Sequence, residues 1–340
     1  MARRAWSRLA EWRLRARAQV RLYGDPGRPV QAHICPTDRC NLSCRQCDIW
    51  RRPAAEELTT EEWQDVLVQL AALGGPGMSV NFSGGEPFLR DDLVDLIAFA
   101  VSEGMTVSAN TNGWLIDDEM ARRLEHAGLD ILYVSLDGAR PATHDRLRNR
   151  AGLFDRVMGA LDALSRVPRP RVVVASILHR ELVPEVEELL ALCASRGLQV
   201  VFQPVYQPFG QAYDPGWHEG NPLLPRDLEA VDRAIDRLVA MRRRGDLVCN
   251  EEAQLQAFRG YFRAPTQPNG LSCRAGFRDI SFNPRGDVLA CYFLAPIGNV
   301  RKADLASIWW GREAALRRQE VAGCRRTCNL QNCNFGAISD

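Results

Sequence analysis

Between residues 30 and 204, short apolar runs alternate with longer amphipathic stretches. Val30–Cys35, Val80–Ser83, Thr106–Asn110, Ile131–Leu136, Val172–Leu178 and Gln199–Gln203 read as strands. The stretches between them carry helix punctuation. Thr59 with Glu62 forms a capping box for a helix running to Leu73. Asp91–Glu103 stops at Gly104, Asp117–Ala127 at Gly128, and Val183–Arg196 at Gly197, with a further helix over Leu153–Leu164. Strands separated by helices predict a parallel sheet. Right-handed crossovers curl such a sheet into a barrel, so the expectation is an α/β fold with a partial (βα)6 barrel over 30–204.

The polar punctuation after these strands is not random. Cys40, Cys44 and Cys47 follow the first strand, and Gly84-Gly85-Glu86-Pro87 follows the second. Thr111-Asn112-Gly113 follows the third, Ser135-Leu136-Asp137-Gly138 ends the fourth, and Gln203 ends the sixth. Parallel α/β barrels build their active sites at that end of the strands. Three thiolates at CxxxCxxC spacing on one loop suit three corners of an iron–sulfur cube. Most cysteine-ligated cubes use four Cys, so the fourth iron stays open to a substrate or cofactor. A zinc site is the alternative, but structural zinc closes with four ligands, usually in paired motifs.

CxxxCxxC followed about 40 residues later by GGEP resembles the radical S-adenosylmethionine (SAM) superfamily. The resemblance implies a TIM-like partial barrel whose [4Fe-4S] cluster, on Cys40, Cys44 and Cys47, chelates SAM at the open iron. SAM is then cleaved by one electron to a 5′-deoxyadenosyl radical that abstracts a substrate hydrogen. It also implies a SAM site from Gly84, Gly85, Glu86, Pro87, Thr111, Asn112, Ser135 and Asp137. Arg148 is expected to pair with the SAM carboxylate, for which a guanidinium has bidentate geometry; Arg146 in the same run is an equal candidate. The family's glycine-bearing fifth-strand motif is missing from Val174–Glu181, although Ile177 and Glu181 hold similar places.

The C-terminal third adds a second cysteine group. Cys273 is followed by Gly286 and Cys291, with a hairpin read over Asp279–Asn283 and Asp287–Cys291. After a helix near Asp304–Arg318 come Cys324, Cys328 and Cys333. This resembles the auxiliary-cluster extension called SPASM or, shortened, twitch. Five cysteines suffice for one auxiliary [4Fe-4S] cluster; a full extension with two clusters needs more. Spacing leaves open which two of the last three join Cys273 and Cys291, and zinc is the alternative here too. Cys35, Cys193 and Cys249 read as structural.

Residues 1–29 form a basic segment. Ala5, Leu9, Trp12, Ala16 and Val20 make one helical stripe, which reads either as a packing face or as a contact with an anionic membrane surface. Residues 205–265 connect the barrel to a 266–340 extension. Within them Val205–Arg226 is a long loop rich in Pro, Gly, Tyr and Trp, and long loops are commonly functional. Gln203 just before this loop and Tyr206 and His218 within it are the candidate substrate contacts.

Composition narrows the classes. Hydrophobic residues make up 46% of the 340 and charged residues 25%, with a net charge of +1. That is ordinary for a globular protein and gives no global field for nucleic acid. No apolar run is long enough to span a bilayer. Eight of the eleven cysteines fall in two clusters, which, with no evident secretory signal, suggests a reducing cytoplasm.

The expected activity is hydrogen abstraction from a small-molecule substrate: a sugar, nucleoside or other natural-product intermediate. Oxidation, decarboxylation or epimerisation follows, with an electron donor such as flavodoxin or ferredoxin. The argument for a small molecule is that about 30 residues before the first strand are too few for a fused peptide-binding domain, since independent domains usually exceed ~40 residues. The alternatives are maturation of a ribosomal peptide, with recognition supplied by a separate chain, and a non-catalytic iron–sulfur scaffold.

Overall fold

The computed structural model describes residues 24–53, 56–208 and 211–335. The expected N-terminal amphipathic helix lies, through residue 23, outside them. Among the described residues, nine strands form one sheet in the order β6-β5-β4-β3-β2-β1-β7-β8-β9. The first six are β1 (Gln31–Thr37), β2 (Ser79–Gly84), β3 (Thr106–Thr111), β4 (Ile131–Ser135), β5 (Arg171–Leu178) and β6 (Gln199–Pro204). Each pairs in parallel with its sequence neighbour, as the strand–helix alternation predicts.

The crossover helices are α1 (Thr60–Gly74), α2 (Leu93–Ser102), α3 (Asp118–His126), α4 (Pro141–Arg148), α5 (Leu153–Leu164) and α6 (Val186–Ser195). The Thr59–Glu62 capping box is formed reciprocally at the start of α1. Sequence reading assigned no element to 141–148. It is a helix opened by Pro141 and closed by Asn149 in the left-handed conformation.

The sheet has two unlike faces. Ala32, Ile34, Val80, Phe82, Val107, Ala109, Leu132, Val134, Val174, Val200 and Phe202 are fully buried against helix residues such as Trp63, Leu67 and Leu96. The alternate residues point the other way, as period-two geometry requires. On β1–β3 that inner face is polar and uncharged at mid-strand: His33 sits opposite Asn81, and Asn81 opposite Ser108. Asn81 donates to Ser108 Oγ and Asn110 Oδ1, both at 2.9 Å. On β4–β6 the inner face carries a small apolar patch of Ile131, Val173 and Val201.

After β6 the chain makes α7 (Leu228–Arg243) and α8 (Glu252–Arg263). The sheet edge at β6 is closed by the link between them. Val248 bridges Val200, and Asn250 both accepts from Phe202 N and donates to Phe202 O, each at 2.7 Å. The C-terminal hairpin is β7 (Asp279–Phe282) and β8 (Asp287–Leu289), with β9 (Gly298–Asn299) beyond. It does not stand apart from the barrel: β7 pairs in parallel with β1. The single helix expected over Asp304–Arg318 is two, α9 (Leu305–Trp309) and α10 (Arg312–Ala322), broken at Gly311.

Candidate functional site

The loop carrying Cys40, Cys44 and Cys47 leaves the end of β1 and is gripped from two sides. The segment after β2 pins it through Gly85 N to Thr37 O (3.0 Å) and Glu86 N to Arg39 O (2.8 Å). Only glycine fits there: a Cβ on Gly85 would stand 2.1 Å from Arg39 O. At Gly84, φ is +113° and a Cβ would stand 2.2 Å from Cys35 Sγ. From the other side, Arg45 N donates to Leu147 O (2.9 Å) and Asn149 Nδ2 to Ser43 Oγ (2.9 Å). The end of α4 thus clamps the loop.

Glu86 is buried and engaged by three donors. It accepts from Thr111 Oγ1 at 3.0 Å, Asn112 N at 2.7 Å and Phe88 N at 3.3 Å. Burial pushes its carboxyl up to about 7, against the opposing pull of those donors. Asn112 in turn donates to Asn41 Oδ1 at 2.7 Å, which ties the β3 end back to the cysteine loop. Pro87 is buried in the turn that follows.

Asp137 is 0% exposed and receives the Arg148 guanidinium at 2.6 Å from Nε and 2.5 Å from Nη2. Its second oxygen accepts from Ile177 N at 2.7 Å. The remaining Arg148 nitrogen, Nη1, lies 4.0 Å from Cys44 Sγ. Arg146 faces outward and pairs with Glu181 at 3.4 Å, so Arg148 is the arginine of the site. One edge of its fork is occupied by Asp137, leaving the other toward the cysteines. Ser135, half-buried, ends β4 beside them.

Burial raises the thiols of Cys40, to about 11, and of Cys44 and Cys47; Arg148 opposes the shift at Cys44 and Cys47. Sequence reasoning missed Asn41, Asn149 and His144, which accepts from Asp137 N at 3.0 Å. Their signal is only the short polar side chain near a motif.

A second cavity lies against β7. Cys273, Cys291, Cys328 and Cys333 all line it, together with His33, Asp279, Ser281 and Tyr292. Cys333 and Tyr292 both line this cavity and are both exposed. Cys324 is exposed and not among its walls. Burial raises Cys273 to about 11 and Cys328 to about 12. Of the three candidate substrate contacts, Gln203 is half-buried at the end of β6 on the inner face. Tyr206 is buried with its ring 5.0 Å from that of Trp217. His218 packs its ring edge on Trp217 at 6.0 Å. Among the described residues no helix is long and apolar enough to cross a membrane.

Residues 34–193 match the model of the radical SAM superfamily, and residues 273–334 match an iron-sulfur cluster-binding domain, SPASM. The chain is 29% identical to the PqqA peptide cyclase of Rhizobium meliloti over 318 residues, 88% of this chain and 79% of that one. It is 25% identical to the AdoMet-dependent heme synthase of Methanosarcina barkeri over 319 residues, 89% and 87% of the two chains. It is 28% identical to the mycofactocin maturase MftC of Mycolicibacterium smegmatis over 326 residues, 92% and 80%. The fold is that of Streptococcus suis SuiB, solved with its precursor peptide SuiA, at a TM-score of 0.70 and 17% identity, covering 88% of this chain and 68% of that one.

Proposed function

From the premise that the chain belongs to the radical SAM superfamily and is a SPASM-type radical SAM enzyme, we propose that it matures a ribosomal peptide. This corrects the expectation of a sugar, nucleoside or other small natural-product intermediate. The finding that overturns it is the similarity, over most of both chains, to a peptide cyclase and to a mycofactocin maturase. The length argument behind it bore only on a recognition domain fused to this chain; a separate protein can supply one. That similarity, running through both cysteine regions, is the observation that carries the proposal.

SAM and iron–sulfur clusters are the cofactors these domains imply, and the residues present fit them. When bound, they supply one-electron, hydrogen-abstracting chemistry. In this reading Cys40, Cys44 and Cys47 hold the catalytic [4Fe-4S] cluster. Gly84 and Gly85 let the backbone come close to SAM, with Pro87 fixing the turn that follows. Glu86 orders Thr111 and Asn112 and offers its carboxylate as an acceptor for an ammonium. Ser135 borders the same space. Asp137 fixes Arg148 so that its positive charge stands beside Cys44 and remains available to a carboxylate.

For the auxiliary [4Fe-4S] cluster the cavity favours Cys273, Cys291, Cys328 and Cys333, with Cys324 left over. Zinc fits less well. Zn–S bonds of about 2.3 Å draw thiolates close together, and among the described residues no three His, Cys, Asp or Glu side chains converge on a single-ion site. The uncharged polar wall of His33, Asn81, Ser108 and Asn110 suits amide groups of a peptide, and Gln203 lies on the same inner face. A reductant such as flavodoxin or ferredoxin delivers the electron.

The test is release of 5′-deoxyadenosine by the reduced protein, incubated anaerobically with SAM and host extract split by size. Stimulation by the peptide fraction is expected. Stimulation confined to small metabolites would sink the peptide reading.

A further inference from the structure

Tyr206 occupies an unusual position. It is 4% exposed, and its hydroxyl is buried with no hydrogen-bond partner among the described residues. A buried unpaired hydroxyl is costly, and natural structures rarely leave one without a reason. The Cys328 thiol stands beside this hydroxyl, and it is one of the four cysteines that wall the cavity against β7.

The surrounding contacts fix the tyrosine rather than leave it to swing away. Its ring is wedged against Trp217 at 5.0 Å and Phe293 at 6.2 Å. The backbone on both sides is clamped. Gln331 Nε2 donates to Pro204 O at 3.2 Å, and Tyr261 Oη to Val205 O at 2.5 Å. Gln207 closes the turn that follows by accepting from Asp214 N at 2.9 Å. Gln331 belongs to the same short segment as Cys328, so one hydrogen bond ties the tyrosine's strand end to the cysteine's turn.

We propose that Tyr206 is a positioning residue whose hydroxyl donates a hydrogen bond to the Cys328 thiolate of the auxiliary cluster and thereby raises that cluster's reduction potential. A donor to a cluster sulfur withdraws electron density and favours the reduced form. The inference rests on the auxiliary-cluster reading and goes beyond it, since Tyr206 was expected only as a substrate contact.

The experiment uses the full chain with Cys40, Cys44 and Cys47 replaced by Ala, so that only the auxiliary cluster is present. Its midpoint potential is read by a redox titration followed by electron paramagnetic resonance. Tyr206→Phe keeps the ring packing and removes the donor, and the expected result is unchanged iron content with a more negative potential. Should Tyr206→Phe fail to assemble, replacing Tyr206 with 3-fluorotyrosine keeps the hydroxyl and makes it a stronger donor. The potential should then move the opposite way, to more positive values. A potential unmoved by either change, at full iron content, overturns the role of Tyr206 and leaves the auxiliary cluster standing. A triple-Ala chain that binds no iron overturns the auxiliary cluster itself, and Tyr206 with it.

Discussion

Asp137 and Arg148 are the pair on which the site's electrostatics turn, because Asp137 is fully buried and Arg148 nearly so. Removing one member of such a pair leaves an uncompensated charge. Asp137→Ala should therefore cost about 3–5 kcal/mol in a denaturant titration of the metal-free chain. Arg146→Ala, which breaks only the exposed pair with Glu181, should cost under about 1 kcal/mol. Equal costs would show that Arg148 is not held as described. Glu86 makes the second residue-scale case. Its folded-state pKa is raised to about 7 by burial, so the folded chain keeps a proton there that the unfolded chain releases near its ordinary value of about 4.3. That stability is fully present below the unfolded value and is lost as pH rises through about 7, up to roughly 3 kcal/mol across the window. Glu86→Gln should flatten this part of the metal-free chain's stability–pH curve. A slope that persists in the variant places the proton elsewhere.

At the scale of elements, periodicity and capping were legible from the chain. Leu153–Leu164 is a helix as read, and the Thr59–Glu62 box forms as its spacing predicts. Three features were not legible, each for a physical reason. α4 is short and polar, with only Thr143, His144 and Leu147 buried, so no apolar stripe announces it. The pairing of β7 with β1 joins segments some 250 residues apart, a tertiary contact that leaves no local mark. The closure of β6 at Phe202 depends on one side chain, Asn250, which imitates a neighbouring strand by bonding both backbone groups of Phe202. Asn250→Ala should strand a buried N–H and C=O and cost about 2–3 kcal/mol. Amide hydrogen exchange at Phe202 should accelerate in step, and exchange unchanged from the parent would mean another group covers that edge.

At the scale of the whole molecule, the C-terminal hairpin continues the barrel sheet, so the cavity against β7 and the cysteine loop after β1 share a strand, β1, as their common wall. His33 on that strand lines the cysteine cavity, while the strand's far end delivers the Cys40 loop. The two metal regions are thus built on one rigid element, yet their ligand sets are separate, and iron content should report them independently. The reconstituted chain should hold about eight irons, falling to about four when Cys40, Cys44 and Cys47 are all Ala. Sequence spacing leaves the choice among Cys324, Cys328 and Cys333 open; Cys324 and Cys333 are both exposed, but Cys328 and Cys333 line the cavity and Cys324 does not. In the triple-Ala chain, Cys324→Ser should leave the remaining ~four irons in place, whereas Cys328→Ser or Cys333→Ser should lower the count or leave a cluster that decays within a desalting step. Iron lost with Cys324→Ser and kept with Cys333→Ser would mean that the C-terminal turn rearranges around the cluster, with Cys324 and not Cys333 completing the set.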